Sequence, residues 1–294
     1  MQRWKYIIFA VVFGLFYGII YTGTANEMLL SDIVLKMGFS EFALCGGNAS
    51  YIGKIMLCFF PSVIFQVISG IELYRHFCTG SVYYFSRCIN RKKWYLKEII
   101  NLYLDSTVYF IFLSLSFITV MGISADIHHN FREAIWLYLY YIVIFSLWNY
   151  FFSLLLNLTA LYFRSNGGFA ISLGIQMFFI SCYVFFQEKL LLIYEGNTDS
   201  VRLMKLIPFS HLILSWHSSN NEKIDNLINI YGIDFNLNSS VILLIIADVI
   251  ISFAGMIIIE KTDFILTNKE TGGWMYETHR RKYSQNYTKE NNSR

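Results

Sequence analysis

Charged residues are scarce in this chain, and prolines are scarcer still. Of its 294 residues, 15% are Asp, Glu, Lys or Arg, whereas 55% are hydrophobic. A soluble domain of this length would carry more charge on its surface. The two prolines, Pro61 and Pro208, are the only strong helix breakers, so long uninterrupted helices are favoured. The composition therefore predicts an all-α integral membrane protein.

Motifs that would hold a nucleotide, a metal or another cofactor are also missing. The five cysteines form no C-x-x-C pair and only Cys45 is expected outside the cell, so neither a metal site nor a disulfide framework is predicted. The nearest approach to a phosphate-binding loop, Gly47 to Ile55, has one spacer residue too many and no hydroxyl. No G-x-S-x-G or H-E-x-x-H signature occurs. We expect a non-catalytic chain without a cofactor, which does not bind ATP by itself.

Six apolar stretches come close to the roughly 20 residues that a helix needs to cross the hydrocarbon core. They are residues 5–22, 55–74, 99–122, 134–160, 168–187 and 240–259. Lys and Arg concentrate in alternate connections, on the side that also holds both chain ends. Because cytosolic loops carry the excess of basic residues, we expect six membrane-spanning helices with both termini in the cytosol.

These six helices would form one domain, residues 1–260, with polar pieces on both sides. An outer loop, 23–54, and a cytosolic segment, 75–98, flank the second span. A longer outer loop, 188–239, precedes the last span. The cytosolic tail, 261–294, ends in residues that have little to bury, so its end is expected to be disordered.

Asp248 lies near the middle of the last span, where a charge costs at least a few kcal/mol. Helical spacing places it on one stripe with Ser252 and Gly255. One interpretation is a residue of a translocation path or gate. The other is a structural interhelical hydrogen bond, for which the candidate partners are Gln66, Asn149, Asn157 and Gln176.

Other polar and small residues have structural interpretations. Asp105, about two turns into the third span, can reach Lys97 or Lys93 by snorkelling and is expected in an ion pair. Gly14 and Gly18 form a G-x-x-x-G pattern that permits close helix contact, within the chain or across a dimer. His128 and His129, and the pair His211 and His217, lack metal-ligand spacing. They are expected to be surface or interface histidines.

Residues 71–99, IELYRHFCTGSVYYFSRCINRKKWYLKEI, are too polar to span a membrane and too aromatic for a linker. One interpretation is a basic amphipathic helix on the anionic lipid of the inner leaflet. The other is a docking element for a cytosolic partner. Its aromatic anchors would be Tyr83, Tyr84, Phe85 and Trp94, within a polar rim that contains Arg87, Arg91, Lys92 and Lys93. The net charge of +3 forms no basic face with stacking aromatics, so nucleic acid is not expected as a partner.

The order of these features resembles the ABC-2 type permeases, the transmembrane subunits of ATP-binding cassette transporters. A span ends in Glu72, Thr79-Gly80 follows, and an Arg-rich turn from Arg87 runs into W-x-x-K-E, which ends at Glu98 and opens the third span. The sequence LIPFSHLILSW around Pro208 resembles the outer helices of that family, which dip back toward the bilayer.

The resemblance implies a function as well as a fold. Cytosolic ATPase subunits, which hold ATP and Mg²⁺, would bind at residues 75–98, and a second permease subunit, identical or different, would complete the pathway. The substrate would be a peptide, a lipid or a drug-like molecule, exported across a bacterial cytoplasmic membrane. Antimicrobial-peptide export or self-immunity is the use that such permeases suggest.

Two other classes of protein stay open. A stand-alone membrane immunity or sensor protein would bind a ligand through the 188–239 loop and need no ATPase. A membrane-embedded enzyme would cluster acids or histidines at one depth. Only Asp105 and Asp248 are candidates for that, and they are expected at different depths, so the enzyme is the weakest of the three.

Overall fold

The computed structural model describes residues 4–22, 27–45, 48–69, 72–76, 90–124, 126–128, 130–191, 204–219, 221–229, 232–233 and 235–261. Among them, five helices are long and apolar enough to cross a membrane. The expectation of an all-α protein with membrane-spanning helices is thereby confirmed at this coarse level. The docking residues Tyr83, Tyr84, Phe85 and Arg87, and the 261–294 tail beyond its first residue, lie outside the described residues.

Seven helices and four very short strands make up the described chain. The helices are α1 (Trp4–Thr22), α2 (Leu30–Met37), α3 (Ser50–Ser69), α4 (Arg91–Ser124), α5 (Phe131–Leu191), α6 (Glu222–Ile228) and α7 (Leu237–Lys261). The strands are β1 (Glu27–Leu29), β2 (Asp126–His128), β3 (His217–Ser218) and β4 (Phe235–Asn236). The strands form two parallel pairs, β1 with β2 and β3 with β4.

Helix α5 is a hairpin of two arms and not one rod. Its backbone leaves the helical region at Arg164, where φ is 64° and ψ is 173°. The Ser172 hydroxyl donates to the carbonyl of Phe152 (3.3 Å), and the Thr159 hydroxyl donates to the carbonyl of Gly168 (3.5 Å). The second arm therefore runs back along the first. A Cβ at Gly168 would lie 2.8 Å from the carbonyl oxygen of Leu156, so only glycine allows this approach.

Helices α1 and α4 pack along each other in parallel. Gly14 lies against Ser116 and the carbonyl of Leu113, and one turn further on, a Cβ at Gly18 would lie 2.6 Å from that of Val120. The G-x-x-x-G pattern thus makes a contact within the chain. Both helices end on the same side, and the strands that follow them, β1 and β2, pair in register there.

At the opposite end, α4 begins at Arg91 and not at residue 99. The basic turn and the W-x-x-K-E sequence form the first turns of the same helix that enters the bundle. One ion pair links this end to α7, since Lys92 Nζ lies 3.1 Å from Glu260, and His76 Nδ1 lies 3.7 Å from Glu98. The helix is therefore longer than the expected third span, residues 99–122, because hydropathy marks only the hydrocarbon-embedded part of a helix.

Two connecting segments, residues 27–45 and the described residues between 204 and 236, form a cap that is inserted between the helices. Residues 209–217 are all buried. Phe39 stacks on Phe59 of α3 with ring centroids 5.1 Å apart, and Phe209 packs on Tyr183 of α5 at 4.9 Å. The Leu214 amide donates to the carbonyl of Gly38 (3.1 Å), which joins the two segments. The outer loop around Pro208 is therefore part of the protein core.

Candidate functional site

An apolar groove of about 540 Å³ lies between α4, the first arm of α5, and α7. Asp248 lines it together with Ser252 one turn away on α7, and both Tyr103 and Tyr150 contribute their rings. The other lining residues are Leu96, Ile99, Ile100, Leu104, Val143, Leu147, Ile245, Val249, Phe253 and Met256. Asp248 is thus the only charged side chain in a groove walled by hydrocarbon and aromatic rings.

Asp248 is 6% exposed, and neither of its carboxylate oxygens has a hydrogen-bond partner among the described residues. Its neighbour on the predicted stripe, Ser252, has one, because the Ser252 and Tyr150 hydroxyls lie 2.8 Å apart. Gly255 completes the stripe by allowing α7 to approach Leu158 and the hydroxyl of Tyr95. The stripe is therefore a packing face, and its unsatisfied group is the buried carboxylate of Asp248, a residue that lines the groove.

The four amide residues that were candidate partners of Asp248 bond elsewhere. Gln66 donates to Asn149 (3.2 Å) and to Gln176 (3.3 Å), and Gln176 donates back to Gln66 (2.8 Å). Asn149 donates to Ser106 at 3.4 Å, and Asn157 accepts from the backbone of Tyr74 at 2.9 Å. None of the four bonds to Asp248, because Gln66, Asn149 and Gln176 bond to one another and Asn157 bonds to backbone groups of other residues.

The amide cluster of Gln66, Asn149 and Gln176 should stabilise the bundle as a unit. We expect Gln66→Leu to lower the free energy of unfolding by about 1–2 kcal/mol, because it leaves buried amide groups without partners. The double variant Gln66→Leu/Gln176→Leu should recover part of this loss, since removing both partners leaves fewer orphaned groups.

A double-mutant cycle in detergent or lipid nanodiscs measures the coupling directly. Helix-to-helix hydrogen bonds in membranes average about 0.6 kcal/mol, so a coupling of about that size or larger is expected. Purely additive losses would show that the two amides act independently. Gln187→Leu, which removes hydrogen bonds to Phe42 and Ala43 in the cap, serves as a comparison outside the cluster.

Asp105 and Asp248 lie at similar depths, contrary to expectation. Lys92 and Glu260 pair at the ends of the antiparallel helices α4 and α7. Asp105 follows Lys92 by 13 positions and Asp248 precedes Glu260 by 12. At 1.5 Å per residue, both lie about 20 Å from that pair. Asp105 is 1% exposed but does not line the groove. The two acids therefore serve different parts of the bundle.

The described docking residues lie at the beginning of α4. Lys92, one of the expected rim residues, forms an ion pair with Glu260 of α7 and so contacts the protein itself. Lys93 is exposed and Trp94 is half-buried. Glu72, at the end of the second span, accepts a hydrogen bond from Tyr6 of α1. This acid therefore has a structural role between α1 and the second span.

His211 and His217 are buried where the cap meets α7, so of the two expected locations, surface or interface, the structure shows the interface. His211 Nδ1 lies 2.8 Å from the Ser240 hydroxyl of α7, and His217 Nε2 lies 2.9 Å from the same oxygen. Their remaining nitrogens face the carbonyls of Lys205 (2.9 Å) and Ile213 (2.9 Å). Burial lowers the pKa of both, and that of His217 to about 3. The six-residue separation gives no sign of this arrangement, since successive 3₁₀ turns create it.

A second pocket, of about 330 Å³, lies beside the cap. Arg132, Trp136 and Tyr140 of α5 line it together with Ser218, Asn221 and Asn236 of the cap and Asn238 of α7. Tyr140 donates to Asn238 at 2.7 Å. Within the described part of the chain, no group of three or more His, Cys, Asp or Glu residues could hold a metal ion. The described lining of this pocket combines one arginine, two aromatic side chains and three asparagines.

The fold and the groove define a class: a helical protein whose apolar helices are long enough to span a membrane, with a buried, unsatisfied carboxylate beside a groove between three helices. No family model, curated protein or solved structure matches the chain. The resemblance to ABC-2 permeases therefore rests on the order of sequence features.

Proposed function

We propose that the chain is the permease subunit of an ATP-binding cassette transporter in a bacterial cytoplasmic membrane. It would cross the membrane six times, with both termini in the cytosol, and have no catalytic site. Cytosolic ATPase subunits would hydrolyse ATP, and a second permease subunit, identical or different, would complete the pathway. The substrate would be a peptide, a lipid or a drug-like molecule, moved outward.

The two arms of α5 support six crossings, because they add one to the five long helices. The distribution of basic residues supports cytosolic termini. Where α4 begins and α7 ends, the bundle carries Lys92, Lys93, Lys97 and Lys261, and Arg164 lies on the same side, at the turn of the α5 hairpin. Basic residues favour the cytosolic side.

The observation that carries the proposal is the continuity of α4. Its 34 residues extend over about 51 Å, well beyond the roughly 30 Å of hydrocarbon. The helix therefore projects beyond the bilayer with Arg91 at its tip, and its middle places Tyr103 and Leu104 in the groove. A partner that displaced its basic end would move the wall of the groove with it. A membrane-resting segment would need no such rigid connection.

We expect a cytosolic ATPase to co-purify with the tagged full-length chain from its native membranes in mild detergent. Lys93→Glu should abolish most of the associated ATP hydrolysis, because it reverses an exposed charge at the tip of α4. Lys223→Glu, an equal charge change on exposed residue 223 of α6 in the cap, is the matched control and should leave hydrolysis unchanged. Phosphate release from the eluate is the measurement. Hydrolysis that survives Lys93→Glu would contradict docking at this site.

The pocket beside the cap, lined by Arg132, Trp136 and Tyr140, favours a second candidate, the stand-alone immunity or sensor protein. Its arginine, paired aromatics and amides could bind a ligand from outside without any ATPase. In this case the tagged chain would come down alone, without ATP hydrolysis. The basic beginning of α4 would then interact with anionic lipid.

A further inference from the structure

We infer that the groove between α4, α5 and α7 binds a lipophilic cation, with Asp248 as its counter-charge. The inference deepens the proposed function by naming a substrate class, and it rests on that proposal only in calling the ligand a substrate. Binding itself needs no ATPase.

The described walls of the groove leave the carboxylate of Asp248 without a partner. Both carboxylate oxygens are buried and have no hydrogen-bond partner among the described residues. None of the other lining residues is charged. An ionised carboxylate in such surroundings is costly unless a counter-charge or donors accompany it. A cationic ligand in the groove supplies the counter-charge that the described lining residues do not.

The depth of Asp248 restricts the kind of cation. The residue lies about 18 Å along α7 from Glu260, so it is near the middle of the helix. A compact, strongly hydrated ammonium, such as a lipid headgroup carries, remains at the membrane surface. A cation that reaches Asp248 must have its charge delocalised or shielded by hydrocarbon. The walls suit such a molecule, because all of the lining residues except Asp248 and Ser252 are apolar or aromatic.

Two aromatic rings add a second attraction for positive charge. Tyr103 and Tyr150 contact each other edge to face with centroids 5.8 Å apart, and both line the groove beside Asp248. The ring quadrupole attracts a cation near the face of such a ring, and more strongly where water is excluded. The volume of about 540 Å³ lies within the range of drug-sized ligand sites.

A second copy of the chain is the competing occupant. Ile100, Val249 and Phe253 are each more than half exposed along the groove and could contact it. In a two-fold dimer formed through this face, the partner presents the same residues. It would bring a second Asp248 and no cation, which leaves both carboxylates uncompensated. The charge therefore favours a cationic ligand over self-association here.

Tetraphenylphosphonium and tetraphenylborate test the inference, since they have nearly the same shape and opposite charge. The purified full-length chain in lipid nanodiscs, without an ATPase, is titrated with each. We expect the phosphonium to bind the wild type and to bind Asp248→Asn at least tenfold more weakly. Glu260→Gln removes a carboxylate from the cytosolic end of the same helix and should leave the affinity unchanged. The borate should not bind in an Asp248-dependent way.

Thermal unfolding of Asp248→Asn verifies that the variant is folded, and its midpoint should not fall. Equal phosphonium affinity of wild type and Asp248→Asn would overturn the inference. Oxidation of Val249→Cys tests for a dimer through this face. If two copies cross-link and the phosphonium does not inhibit the cross-linking, the inference is overturned in favour of a dimer interface. Asp248-dependent binding by a chain that recruits no ATPase would support the cation site and contradict the permease, so the two failures are separable.

Discussion

Gly14→Leu is expected to destabilise the folded chain by at least about 2 kcal/mol. Any Cβ at this position overlaps the Ser116 hydroxyl and the carbonyl of Leu113 on α4. The hydroxyl can rotate away, but the carbonyl belongs to the backbone of a helix and cannot. The leucine would therefore separate α1 from α4 along the interface where they run in parallel.

The control is Gly174→Leu, since a Cβ at Gly174 meets nothing within 4 Å. It introduces the same side chain into an exposed position of the second arm of α5 and should be nearly neutral. Thermal unfolding in nanodiscs compares the two variants. If Gly14→Leu left the unfolding midpoint unchanged but altered the oligomeric state, the glycine pair would serve a dimer and not the packing of α1 on α4.

The ends of the spanning helices could be predicted where hydropathy changes abruptly. Helix α7 extends over Leu237–Lys261, against an expected 240–259, because polar residues stand at both edges of its apolar stretch. Helix α4 begins eight residues earlier than expected, because ion pairs such as Lys92–Glu260 support a helix beyond the hydrocarbon. A hydropathy pattern contains no information about such pairs between distant segments.

The candidate site was predicted in part. Asp248 stands out in the sequence because a charge in the middle of a span is costly and rare. Its groove does not, since Tyr103, Val143 and Asp248 come from three helices that only the tertiary packing brings together. The predicted amide partners failed for the same reason: the sequence shows which residues need a hydrogen bond but not which ones meet. The docking residues Tyr83 to Arg87 remain a prediction.

The cap was the least predictable part. LIPFSHLILSW has neither the alternation of a strand nor the periodicity of a helix, and Pro208 begins two short 3₁₀ turns in it. Its burial follows from aromatic contacts with α3 and α5, which are distant in sequence. The shared contact of His211 and His217 with Ser240 links this cap to α7, the helix that carries Asp248.

Acidification should destabilise the cap through these two histidines. Desolvation lowers the pKa of His217 from 6.5 to about 3, and desolvation also lowers the pKa of His211. Below about pH 6.5 the unfolded chain binds protons that the folded chain does not, so stability is lost as the pH falls. Between about pH 7.5 and pH 5, His217 alone should lower the free energy of unfolding by about 2 kcal/mol.

The hydrogen bonds of the His211–His217–Ser240 cluster favour protonation, which opposes the effect of burial. The carbonyls of Lys205 and Ile213 only accept hydrogen bonds, so His211 Nε2 and His217 Nδ1 must be the donors. The two other ring nitrogens then both face the Ser240 hydroxyl, which has one hydrogen to donate. A proton added to either ring would complete the second bond and contribute about 1.5–3 kcal/mol. A pKa lowered by about 3.5 corresponds to about 5 kcal/mol, so burial prevails.

Unfolding midpoints of the full-length chain in nanodiscs, measured from about pH 7.5 to about pH 5, decide between these two effects. The wild type should lose stability on acidification, and His217→Gln should flatten that dependence, because it removes the more strongly shifted group. His76→Gln, which changes a partly exposed histidine at the opposite end of the bundle, should retain the wild-type slope. A midpoint that rises in acid would show that the added proton completes the Ser240 cluster at a gain larger than the cost of burying its charge.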